Sequence, residues 1–233
     1  MSSLRFYSAL LAFTMLFGAS ATFAQSAPPE EEKVVEEAAW VPTDSVVMDK
    51  VWFLFSEEPQ RQMRSTLAHL SQREQDKAAR TVLTTAAYLR LETLRARGSE
   101  LGELQRAISE LDHLAEQISL GDVTEPGEVG KPFGDALLAL ARFHYGQAQR
   151  ARERLDNLQF GRELQATAAV LDYGMTSKVR GSDPAVLTDI GQARQLADQL
   201  INGREVKPES DYDGLLERLA GDIELLARYE RKA

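Results

Sequence analysis

Three groups of residues in this chain have types and spacings that bear on chemistry. Glu110 and His113 stand three apart, the spacing that puts both ligands on one helical face in carboxylate-bridged di-metal bundles. In ESDYDG, residues 209–214, Glu209, Asp211, Asp213 and Gly214 fall at the first, third, fifth and sixth positions of a calcium loop. There, alternating side-chain oxygens wrap a hard cation and glycine permits the sharp turn. The third group is Arg142, His144, Arg150 and Arg154, in ALARFHYGQAQRARER.

Each metal pattern is incomplete. A di-metal site needs a second Glu-x-x-His pair, but Thr66 and Ala141 stand three residues before His69 and His144. The calcium loop lacks its closing acid, since Ala220 occupies that place, and Asp211 and Asp213 serve equally as caps for the helix that follows. No cofactor is therefore expected, and Glu110, His113, Glu209, Asp211 and Asp213 are the residues that calcium or a transition metal would use.

Phe143 and Tyr145 flank His144, which reads as a core histidine bonded to a backbone carbonyl. Arg150, Arg152 and Arg154 are spaced by two and so spread around their helix, with Glu74 and Asp76 of SQREQDK as their expected partners. A ligand-binding patch would use Arg142, His144, Arg150, Arg154 and Glu74. The sequence holds no Gly-x-Ser-x-Gly elbow, no His-Glu-x-x-His and no phosphate-cradling glycine loop.

The elements that position these residues are helical. Strand alternation is almost absent, while apolar residues recur at spacings of three and four from Asp44 to the C-terminus. The fold class is all-α: a bundle of about six helices, two of them long. Helices are predicted over 44–55, 58–97, 100–120, 133–178, 184–202 and 211–231, with GDVTEPGEVGKP (121–132) as the clearest loop. Both long helices have apolar ends and a polar middle, SQREQDK and QAQRARER, so each either extends between two small cores or bends there, and either way the chain has two packing centres and a polar waist.

The N-terminus bounds the compartment. MSSLRFYSALLAFTMLFGASATFAQ has one cation, an apolar run and small residues, the layout of a secretory signal peptide cleaved after Ala24 or, second choice, after Ala21. Residues 25–43, rich in proline and acid, read as a disordered linker before a single helical domain over 44–233. With no cysteine the chain excludes thiol catalysis, and its formal charge of −9 disfavours nucleic acid. No segment of the mature chain is apolar enough to span a bilayer.

An ungapped match of 83–121 with 165–203 gives nine identities in 39 positions, among them Thr85/Thr167, Leu89/Leu171, Ile108/Ile190 and Gly121/Gly203. The chain thus reads as two pseudo-repeated long-short hairpins, 58–121 and 133–203, closed by a C-terminal helix. The function expected is that of an exported, non-catalytic binding or assembly protein of the bacterial periplasm. It would act through helix faces or the polar waist on a protein partner in the cell envelope. A helical bundle carrying a metal or small ligand is the alternative, and an enzyme the less favoured third.

Overall fold

A computed structural model describes Trp52 and residues 56–178, 183–203 and 211–231. The signal peptide, the linker, Glu209 and most of the helix expected at 44–55 lie outside the described residues. Among the described residues the fold is all-α, with seven helices, one 3-10 turn and no strand. The helices are α1 (Glu58–Ser71), α2 (Gln75–Thr93), α3 (Ser99–Leu120), α4 (Gly130–Glu153), α5 (Asn157–Lys178), α6 (Pro184–Ile201) and α7 (Tyr212–Glu230). Among the described residues no helix is long and apolar enough to cross a membrane.

The expected polar waist is corrected: a tight turn interrupts the first polar run, a second follows the last helical residue of the other, Glu153, and each long helix is two helices. After α1, Arg73 takes a left-handed conformation (φ 58°), its N–H bonding the Leu70 carbonyl at 2.9 Å and that of Glu74 the His69 carbonyl at 2.8 Å. After α4, Leu155 does the same (φ 58°), with Leu155 to Arg152 at 2.9 Å and Asp156 to Ala151 at 2.9 Å. This is the Schellman stop, which satisfies the last carbonyls of a helix and ordinarily uses glycine. The Asp156 carboxylate then caps α5, accepting the Gln159 N–H at 3.0 Å.

Two packing centres are likewise corrected to one. Met63 and Leu70 of α1, Leu89 of α2, Leu111 of α3, Leu140 and Phe143 of α4, Phe160 and Leu171 of α5, Ile190 of α6 and Leu226 of α7 belong to a single buried cluster. Helix α2 packs between α1 and α3, α5 packs between α4 and α6, and α7 lies chiefly on α4. The units are therefore three-helix arrays. The predicted loop is also shorter than expected, because a 3-10 turn (Pro126–Val129) with a Glu125/Glu128 capping box leads directly into α4, with Pro132 in its first turn.

The two arrays share more than helix order. Gly121 and Gly203 end α3 and α6 in the left-handed region (φ 82° and 61°). Arg90 of α2 pairs with Asp112 of α3, and at the corresponding places Asp172 of α5 receives Arg194 of α6 at 2.8 Å. The ion pair is kept and its charges are exchanged.

Candidate functional site

His144 sits on the inner face of α4, its side chain 1% exposed, and meets Glu163 of α5, which is wholly buried. The distance from Nδ1 to the Glu163 Oε2 is 2.7 Å. A carboxylate only accepts, so Nδ1 carries the hydrogen. The partner is thus a carboxylate and not the backbone carbonyl expected. Arg95, just past α2, donates to the other Glu163 oxygen at 2.7 Å and to Glu92 at 2.5 and 3.0 Å, and Gln159 adds a bond at 2.6 Å. The Arg95 guanidinium lies over the rings of Trp52 and Phe143, 5.1 and 5.2 Å from their centroids.

Electrostatics follow from this enclosure. Burial pushes the Glu163 carboxyl up, but the bond and charge of His144 and the charge of Arg95 outweigh it and hold the group below the usual carboxylate range. Burial raises the Tyr88 hydroxyl, and the neighbouring Glu92 carboxylate raises it further. The cluster ties α2, α4 and α5 together, and its carboxylates are closed to solvent. Arg95 reaches the surface, at 33% exposure.

The remaining patch residues are dispersed. Arg150 grips Glu100 of α3 through two bonds at 2.9 and 2.7 Å, a pair that lies across Gly146, where a Cβ would collide with the Glu100 carboxylate. Arg142 bridges Glu103 of α3 and Glu224 of α7 at 3.3 and 2.9 Å. Arg152 pairs with Asp213. The expected pairing with Glu74 and Asp76 is corrected, because the turns carry those acids to a different end of the bundle from the arginines' partners. Glu74 bonds Lys77 and His69, both at 2.7 Å, and Lys77 and then His69 hold its carboxyl below the ordinary range. Arg154 is exposed in the α4–α5 turn.

The metal candidates do not converge. Glu110 faces Asp135 of α4 across a cavity of about 240 Å³ also lined by Glu103, Arg106, Lys131 and Arg142; burial, then the Asp135 charge, raises its carboxyl. His113 is 67% exposed and meets Glu116 at 3.8 Å. Asp211 caps α7, accepting the Gly214 N–H at 2.8 Å, and Asp213 holds Arg152. Among the described residues no three His, Asp or Glu are placed to hold an ion.

A larger opening lies elsewhere, where the end of α4, the α4–α5 turn and α7 enclose a groove of about 800 Å³. Tyr145, Phe160, Tyr212 and Leu216 form its walls, Phe160 and Tyr212 meeting edge to face at 5.8 Å. Arg152 lies 5.5 Å from the Tyr212 ring centroid, and Glu153 and Glu217 stand on the rim. Beside them Leu155 is 85% exposed. Sequence reasoning missed this groove because its residues come from three helices and because Leu155 was read as helix interior. An isolated leucine in a polar run was the available signal.

The chain matches no known family model, curated protein or solved structure.

Proposed function

We propose that this is an exported, non-catalytic binding or assembly protein of the bacterial periplasm that takes a protein partner in the groove between α4, α5 and α7. Export rests on the signal-peptide layout of residues 1–24. The observation that carries the binding reading is Leu155. Its backbone is left-handed, where leucine is strained, and its side chain is almost fully in water, where it contributes nothing to folding. A residue that satisfies neither its own backbone nor the core, set beside three aromatic rings, supports the reading of an anchor for a partner's apolar group.

Site-specific photo-crosslinking in cells tests this. A crosslinker at position 155 should capture one discrete partner, while one at Leu120, 70% exposed at the end of α3, should not. Equal capture at both positions, or none at position 155, removes the reading.

A further inference from the structure

The duplication supplies an internal comparison for the outer face of α2. Leu83, Ala87 and Leu91 on the helix, and Leu94 just beyond it, recur at spacings of four, four and three, which sets them in one stripe. All four are exposed, Leu83 at 47%, Leu91 at 53% and Leu94 at 82%. The corresponding residues of α5 are Gln165, Ala169, Tyr173 and Thr176, and the first three are half-buried. There the Arg64 guanidinium of α1 lies over the Tyr173 ring, 5.3 Å from its centroid.

One of the two matching faces is therefore reached by a neighbouring helix, and among the described residues the other is bare. Burial alone would make the bare copy the more polar. The reverse holds at three of the four positions, where leucine stands against glutamine, tyrosine and threonine. A contiguous apolar stripe on a solvent-facing helix marks a docking surface.

We infer that the outer face of α2 docks an amphipathic helix of a partner protein, acidic at the flanks of its apolar stripe. Shape and charge both select this occupant. The stripe runs straight for about 16 Å, three turns of helix. The exposed ionisable residues of α2 are Asp76, Lys77, Arg80 and Arg90, three cations to one acid on a chain whose formal charge is −9. Lys77 is held by Glu74 and Arg90 by Asp112, while among the described residues no carboxylate pairs with Arg80. A second copy of this face would set its own cations opposite themselves, which disfavours a symmetric pair. This inference is independent of the groove, which lies on other helices.

The test uses the full chain and two synthetic helical peptides with the same Leu/Ala stripe, one flanked by Glu and the other by Lys, read by fluorescence anisotropy. The Glu-flanked peptide should bind at least about tenfold more tightly. Leu91→Asp should abolish binding, and Arg80→Glu should reverse the preference. Leu187→Asp, at a leucine 44% exposed on α6, should change nothing. All three positions are exposed, and circular dichroism with urea unfolding confirms that each variant folds. Equal affinity for the two peptides, equal loss in the Leu187→Asp protein, or no binding at millimolar peptide overturns the inference. So does a dimer that Leu91→Asp dissolves in sedimentation, which would give the face to a second copy.

Discussion

Arg73 and Leu155 stand at matching places 82 residues apart, each at the left-handed position of a Schellman turn with φ 58°. In both turns the two bonds span the same intervals, so the likeness read from nine identities extends to the backbone.

Glycine at either position should relieve strain. Leu155→Gly and Arg73→Gly are each expected to stabilise the protein by about 0.5–1 kcal/mol, the cost of a left-handed side chain less the entropy of the unfolded glycine. Urea unfolding measures this. For Leu155→Gly the gain should come with lost crosslinking at the groove, whereas Arg73→Gly should leave binding intact.

Arg95 pairs with both Glu163 and Glu92, each of them buried. Arg95→Met should cost about 3 kcal/mol or more, because it removes the cation that the buried Glu92 and Glu163 carboxylates share. The double variant Arg95→Met/Glu163→Gln should lose less than the two single changes added, and a double-mutant cycle in urea reads that coupling. Additive losses would mean that the pair does not act as a unit.

Two buried carboxylates set opposite slopes in stability against pH. Burial, then the charges of Asp189 and Asp183, raises Asp222 from 3.8 to about 6, so its folded form holds a proton more tightly than the unfolded chain does. The stability it contributes is full below 3.8 and is lost as pH rises through about 6. Glu163 is held below 4.5, so its contribution is present above 4.5 and is lost as pH falls. Stability should therefore be greatest in mildly acid solution. Asp222→Asn should remove the decline toward neutrality and stabilise the neutral protein by about 1 kcal/mol, discounted for residual solvation. Glu163→Gln should flatten the acid side. Thermal melts across pH check both slopes.

Gly161 of α5 and Ala79 of α2 correspond, and only the second has room for its methyl. A Cβ on Gly161 would meet the Leu200 Cβ at 2.9 Å and the Ala197 carbonyl at 3.0 Å. Gly161→Ala should destabilise by about 1 kcal/mol or more, the overpacking exceeding the gain in helix propensity. A rise in melting temperature would show that α6 can shift to accept it.

The all-α class, the stripe of α3, and the boundaries of α6 and α7 were legible in the sequence because periodicity and caps agree there. Leu104, Ile108, Leu111, Leu114, Ala115 and Ile118 are all buried, and Asp183 and Asp211 both cap. The two central turns were not legible. Breaks are read from glycine and proline, and here arginine and leucine take the left-handed position that glycine normally fills. The Glu163 network was hidden for another reason: a buried carboxylate is identified by its partners, and Arg95, His144 and Glu163 lie on separate elements far apart in sequence. His144 drew notice by its aromatic neighbours, yet what holds it is a residue that looks like any surface glutamate.

The exchanged charges of Arg90–Asp112 and Asp172–Arg194 bear on how a chain made of two similar halves assembles. The apolar seams are nearly interchangeable, Leu89 matching Leu171, Ile108 matching Ile190 and Leu114 matching Leu196. Hydrophobic contact alone would let α2 settle against α6, or α5 against α3, within one molecule or between two. In the first mispairing Arg90 meets Arg194; in the second Asp172 meets Asp112. With the same charges in both halves, either error would still have formed a good ion pair. The reversed pair sets like charges together in either mispairing, which disfavours both.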